Sequence, residues 1–313
     1  MKTLKTYIGI LLMCLPVYQN WAQEASRGDQ QNAKPSPAFS NYSYGAHERQ
    51  VFDLWLAPSD NEEPTPLVIY IHGGGFRGGS KESIRANTLK QFMDAGISVA
   101  AIHYRLSDSG PYPIMMEDAA RCLQTIRSHA VEWNLDPNKV ACFGGSAGAG
   151  ISLWLGFHDD LADPESTDHI ARQSTRILAA ATMNGQSTYD AHTFREWFGV
   201  PNLAIHTALY PFFDIDSVSE IESERVRMLM KDASPITHLT ADDVPVYMSY
   251  RRGNVPVDST TAPGVWVHHP LLGLKLQEAM HGLGLECEVH YPEHPVTKYE
   301  SLEAFLIAKL ADE

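Results

Sequence analysis

Two short runs in this chain hold residue types whose spacing suits acyl transfer. The first is Gly144-Gly145-Ser146-Ala147-Gly148. A hydroxyl at the centre of Gly-x-Ser-x-Gly, between an apolar run (Lys139 to Phe143) and a helical pattern, describes a tight turn that presents the serine as a nucleophile. Glycines at 144 and 148 relieve crowding around a strained backbone. The bland alternative is a glycine-rich turn with an incidental serine, and the strand and helix on its two sides argue against it. The second run is His72-Gly73-Gly74-Gly75-Phe76, directly after the apolar stretch Leu67 to Ile71. Consecutive glycines let backbone N–H groups converge on a developing negative oxygen. The amides of Gly74 and Gly75, joined by that of Ala147 at a helix start, would form such a hole. His72 reads as a structural hydrogen-bonder of the loop. A phosphate loop is the competing reading, but no Gly-Lys-Ser/Thr follows at the required spacing.

The elements that must position these runs follow from periodicity. Gln50 to Leu56 alternates as a half-buried strand does. Apolar runs at Leu67 to Ile71, Ile97 to His103, Lys139 to Phe143, Ile177 to Thr182, Val244 to Tyr250 and Glu286 to Tyr291 suit buried strands. Helical patterns at Glu82 to Ala95, Met115 to Trp133, after Ser146, Leu271 to Leu283 and Glu300 to Leu310 fall between or after them. Such alternation predicts an α/β fold, a mostly parallel sheet with helices on both faces. From about 186 to 243 the pattern loosens into polar and aromatic stretches, with Arg225 to Lys231 as one helical piece. This is read as an insertion capping the site, its aromatics Phe212 and Phe213 shaping an acyl pocket.

The segments His72 to Lys81, Tyr104-Arg105-Leu106 and Gly144 to Gly148 resemble the hormone-sensitive-lipase-like esterases (bacterial family IV) of the α/β-hydrolase fold. They are similar especially to the branch with feruloyl and acetylxylan esterase-like proteins. The likeness is good over about 44–155 and looser over the final strands and helices. It implies ester hydrolysis through an acyl-enzyme without metal or organic cofactor, and an oxyanion hole at Gly74, Gly75 and Ala147. It also implies a histidine after the last strand and an aspartate after the strand before it.

For the histidine, Val289-His290-Tyr291-Pro292-Glu293-His294 offers two candidates. His290 falls within the strand, so His294, in the following loop, is the expected base. His268 and His269, just before Pro270, form a rival pair whose ordinary reading is a structural role at a helix start. The acid is where the sequence departs from the resemblance. Asn254 stands near the expected position, Asp258 is the next carboxylate and the expected acid, and Asp214 in the insertion is a lesser candidate.

Composition limits the partners. The chain has 313 residues and a formal net charge of −14, which disfavours nucleic acid and anionic membranes. Residues 1–23 combine lysines, an apolar run and a small-residue stretch, the pattern of a secretory signal peptide too short for stable membrane insertion. Residues 24–39 read as a flexible leader and 40–313 as one domain. The expected function is an exported, secreted or periplasmic serine esterase acting on a small or polysaccharide-linked ester. The competing readings are a catalytically impaired binding protein on the same fold, and an amidase or peptidase with the same triad.

Overall fold

The apolar alternation of Thr65–Ile71 explains the layered architecture. Leu67, Ile69 and Ile71 join one buried cluster, while Val68 and Tyr70 join another on the opposite face. Successive side chains of a strand point to opposite faces, so a strand apolar at every position is a central one. The computed structural model describes residues 34–59 and 63–311. The expected signal peptide, and the leader as far as residue 33, lie outside the described residues. Ser36–Glu313 form one compact unit.

Among the described residues, eight strands make one sheet: β1 (Phe39–Ser43), β2 (Val51–Trp55), β3 (Thr65–Ile71), β4 (Ser98–Ile102), β5 (Leu135–Gly145), β6 (Ala179–Met183), β7 (Val246–Ser249) and β8 (Cys287–His290). Their spatial order is β1-β2-β4-β3-β5-β6-β7-β8. The β1/β2 and β2/β4 pairs are antiparallel and the remaining pairs parallel. The helices are α1 (Ala86–Asp94), α2 (Ile114–Ser128), α3 (Ala147–Phe157), α4 (Ala191–Phe198), α5 (Leu209–Phe213), α6 (Glu224–Ala233), α7 (Pro263–Trp266), α8 (Pro270–Gly282) and α9 (Leu302–Ala311). Buried residues of α1 and α9 pack on the Val68 face, and those of α2, α3 and α8 on the Leu67 face. The mostly parallel sheet covered on both faces is the one expected from the alternation, and it is the α/β-hydrolase architecture that the resemblance implies. Among the described residues, no helix is long and apolar enough to cross a membrane.

The stretch 186–243 carries α4, α5 and α6 between β6 and β7. Its apolar side chains continue the Leu67-face core. Phe212 and Phe213, expected to shape an acyl pocket, are only 0% and 1% exposed. Phe212 stacks on Phe76 with ring centroids 4.3 Å apart, so it supports the glycine loop from the core side and does not line the cavity beside it. The correction has a plain cause: large aromatics bury more apolar area in a core than on a cavity wall.

Candidate active site

Ser146 sits at the sharp turn from β5 into α3, where the sequence motif required it. Its φ is +51° and ψ −117°, a conformation costly for a residue with a Cβ and sustained by the packed strand and helix around it. The flanking glycines have a steric cause. A Cβ on Gly148 would strike the carbonyl oxygens of Ile71 and His72, and one on Gly144 would meet the backbone of Ile71 and Gly148. The Ser146 amide donates to the Met183 carbonyl at 2.9 Å, tying the turn to the end of β6.

The imidazole that meets Ser146 is that of His268, with Nε2 at 2.9 Å from Oγ. Its Nδ1 lies 3.2 Å from the Gly264 carbonyl oxygen. A carbonyl only accepts, so Nδ1 carries the proton and Nε2 presents its lone pair to the serine hydroxyl. Burial, with the Arg252 charge adding to it, pushes the His268 pKa below the ordinary histidine value. The neutral, proton-accepting form is thereby favoured.

His294, the expected base, lies elsewhere. Its backbone closes a tight turn with Tyr291, with bonds of 2.8 and 3.3 Å, and its exposed ring lies against that of Tyr291. The turn through Pro292 folds the histidine back on Tyr291, and the hydroxyl of Ser146 meets His268 instead. Asp258, the expected acid, is exposed and serves its own turn: Oδ1 accepts from the Thr260 amide at 2.8 Å and from the hydroxyls of Thr260 and Thr261. The Thr260 hydroxyl, followed by that residue's amide, holds the carboxyl pKa below the usual value. The Asn254 backbone N–H donates to the Glu293 carboxylate at 3.1 Å, and Asp214 caps the end of α5 with a left-handed backbone. The position opposite His268 Nδ1 is therefore filled by a backbone carbonyl.

The rival histidine pair divides its labour. His269 caps α8, its Nδ1 accepting from the Leu271 amide at 3.1 Å. His269, in extended backbone, turns its ring to the helix, while His268, in the turn that follows α7, reaches the serine. The signal in the sequence was the doubling itself, since one cap needs one side chain.

Gly74 and Gly75 follow β3, with φ of +121° and +60°. They line a cavity of about 350 Å³ together with Ser146, Ala147 and His268. The amides of Gly74, Gly75 and Ala147 find no acceptor among the described residues, as an oxyanion hole awaiting its charge requires. His72, 1% exposed, stacks on Tyr104 and bonds to the Gly73 carbonyl and the Arg49 guanidinium. Its pKa is lowered to about 4, chiefly by burial, which suits a fixed neutral strut. Among the described residues, no group of three or more His, Cys, Asp or Glu stands close enough to hold a metal ion. A Cβ at Gly74 would strike the Gly78 carbonyl oxygen. Gly74→Ala is therefore expected to lower turnover by about tenfold to a thousandfold through a displaced amide; near-normal turnover at an unchanged melting temperature would refute this.

The serine turn and glycine loop agree with the family match. Residues 52–250 match the BD-FAE family model. LipM of Mycobacterium tuberculosis, described as a "probable carboxylic ester hydrolase", is 28% identical over 219 residues, 69% of this chain and 48% of LipM. The chain thus spans about half the length of that relative. Two solved structures share the fold. A truncated carbohydrate esterase from gut microbiota superposes with a TM-score of 0.67 at 17% identity, over 90% of this chain and 99% of that one. The acetyl ester-xyloside bifunctional hydrolase of Caldicellulosiruptor lactoaceticus gives 0.61 at 18%, over 83% and 87%. The match ends at Tyr250, 18 residues before His268, so the serine and the glycine loop lie within it and the imidazole beyond it. With residues 52–250, well over half of its length, matching that model, the chain belongs to the BD-FAE family.

Proposed function

We propose that this chain is a serine esterase of carboxylic esters working through an acyl-enzyme, with Ser146 as nucleophile and His268 as general base. The observation that carries the reading is the 2.9 Å contact between Ser146 Oγ and His268 Nε2 beside the free amides of Gly74, Gly75 and Ala147. Oγ attacks the ester carbonyl carbon while Nε2 takes its proton. The carbonyl oxygen becomes an oxyanion held by the three amides. Collapse breaks the bond to the alcohol, which leaves with the proton from His268. Water then attacks the acyl carbonyl, Nε2 again takes the proton, and the acid departs as Oγ recovers it.

Gly264 holds the tautomer but brings no negative charge to the imidazolium. In the serine-protease case, replacing the carboxylate by an amide costs roughly ten-thousandfold. Esters have better leaving groups than amides and need less help, so the carbonyl partner favours esters over peptides or amides. The cavity of about 350 Å³, walled by Leu209, Trp266 and Tyr189, suits a short acyl or an aryl group. Acetyl or feruloyl decorations of polysaccharides are the substrates we favour, supported by the carbohydrate and acetyl esters named for the two structural neighbours. The leader pattern of residues 1–23 supports work outside the cytoplasm.

A fluorophosphonate probe followed by peptide mapping tests the reading. Modification at Ser146, together with hydrolysis of p-nitrophenyl acetate, is the expected result. An unlabelled serine and no ester turnover would favour a binding scaffold. The pH profile offers a second check. A base whose pKa lies below 6.5 stays neutral into mild acid, so the acid limb of kcat/KM should have its midpoint below that value. A midpoint at or above 7 would contradict it.

A further inference from the structure

The cavity beside Ser146 differs in charge from the chain around it. Acidic residues outnumber basic ones, 38 to 24, yet among the described residues no carboxylate lines this cavity. Arg77 lines it instead, with His206. The Arg77 side chain is exposed and makes no hydrogen bond or ion pair with any described residue. Other arginines near the glycine loop are engaged: Arg49 with His72 and the Tyr104 carbonyl, Arg105 with Asp118 at 2.6 Å. The position of Arg77 is set by the loop itself, because its amide donates to the Gly74 carbonyl at 3.1 Å. Arg252, three residues after β7, adds its positive charge to the burial that lowers the His268 pKa, as Arg77 does for His206.

A guanidinium is planar and matches a carboxylate through paired N–H donors. In a cleft without acidic side chains it makes a local positive field on a molecule that otherwise repels anions. We propose, resting on the esterase reading above, that the ester taken by this site carries a carboxylate seated at Arg77 while its ester carbonyl meets Ser146. The carboxylate has two possible sources. It belongs either to the alcohol part, as in an acylated acidic sugar, or to the acyl part, as in the half-ester of a dicarboxylic acid.

Two matched pairs separate these sources in the full chain. 4-Acetoxybenzoate against 4-acetoxybenzamide reads the alcohol side, and monoethyl adipate against ethyl hexanoate reads the acyl side. The quantity measured is the kcat/KM ratio of anionic to neutral ester in wild type, Arg77→Lys, Arg77→Ala and Arg77→Glu. In one pair the ratio should fall about tenfold in Arg77→Ala, further in Arg77→Glu, and much less in Arg77→Lys. The change should lie mainly in KM and shrink at high salt. A ratio that is the same in all four proteins for both pairs overturns the carboxylate subsite. If fluorophosphonate still labels Ser146 in that case, the esterase reading survives the loss. An unlabelled serine with no turnover of any of the four esters overturns the esterase reading, and the subsite with it.

Discussion

Ser146→Ala should fold normally and lose at least about a thousandfold in turnover of an activated ester such as p-nitrophenyl acetate. The variant keeps the backbone that the turn requires and removes only the atom that attacks. Its residual rate should reflect what the free amides of Gly74, Gly75 and Ala147 and substrate binding supply without a nucleophile. The fold should not suffer, because the main tie of the turn is the Ser146 amide to the Met183 carbonyl. Melting temperature should stay level or rise slightly, as happens when strained functional sites are simplified. Turnover within tenfold of wild type would move the nucleophile elsewhere.

The second large effect separates the histidines. His268→Ala should lose about a hundredfold to ten-thousandfold, because Nε2, at 2.9 Å from Oγ, is the group placed to take the serine proton. His294→Ala should stay within about twofold, since its exposed ring lies against Tyr291. Asp258→Asn should be similarly mild, its carboxylate serving only the Thr260 and Thr261 turn. Steady-state kinetics on one ester ranks all three. A His294 loss exceeding that of His268 would mean that the loop after β8 swings inward to act, and the assignment of the base would fail.

Much of this is legible in the sequence. The fold followed from apolar runs such as Leu67 to Ile71, whose every residue is buried because helices cover both sheet faces. The serine turn and the glycine loop are legible for the same local reason. A serine at positive φ between colliding carbonyls demands glycines within two residues, and amides that must stay unpaired demand a glycine loop after a strand. These constraints act over a few residues, so they leave a local pattern.

The base and its partner leave no such mark. His268 is 122 residues from Ser146 in the chain, and its place depends on the path of the whole segment between β7 and α8. His294 stood in the expected loop, yet Pro292 and the turn bonds with Tyr291 fold it outward. Asp258 supplied the right chemistry and spent it on its own threonines, while a main-chain carbonyl, invisible to any motif, took the place beside Nδ1. The sequence by itself determined the α/β sheet, the serine turn and the glycine loop, because each is enforced by sterics between near neighbours. Only the tertiary structure decided which imidazole meets the serine, because that choice depends on distances between remote segments.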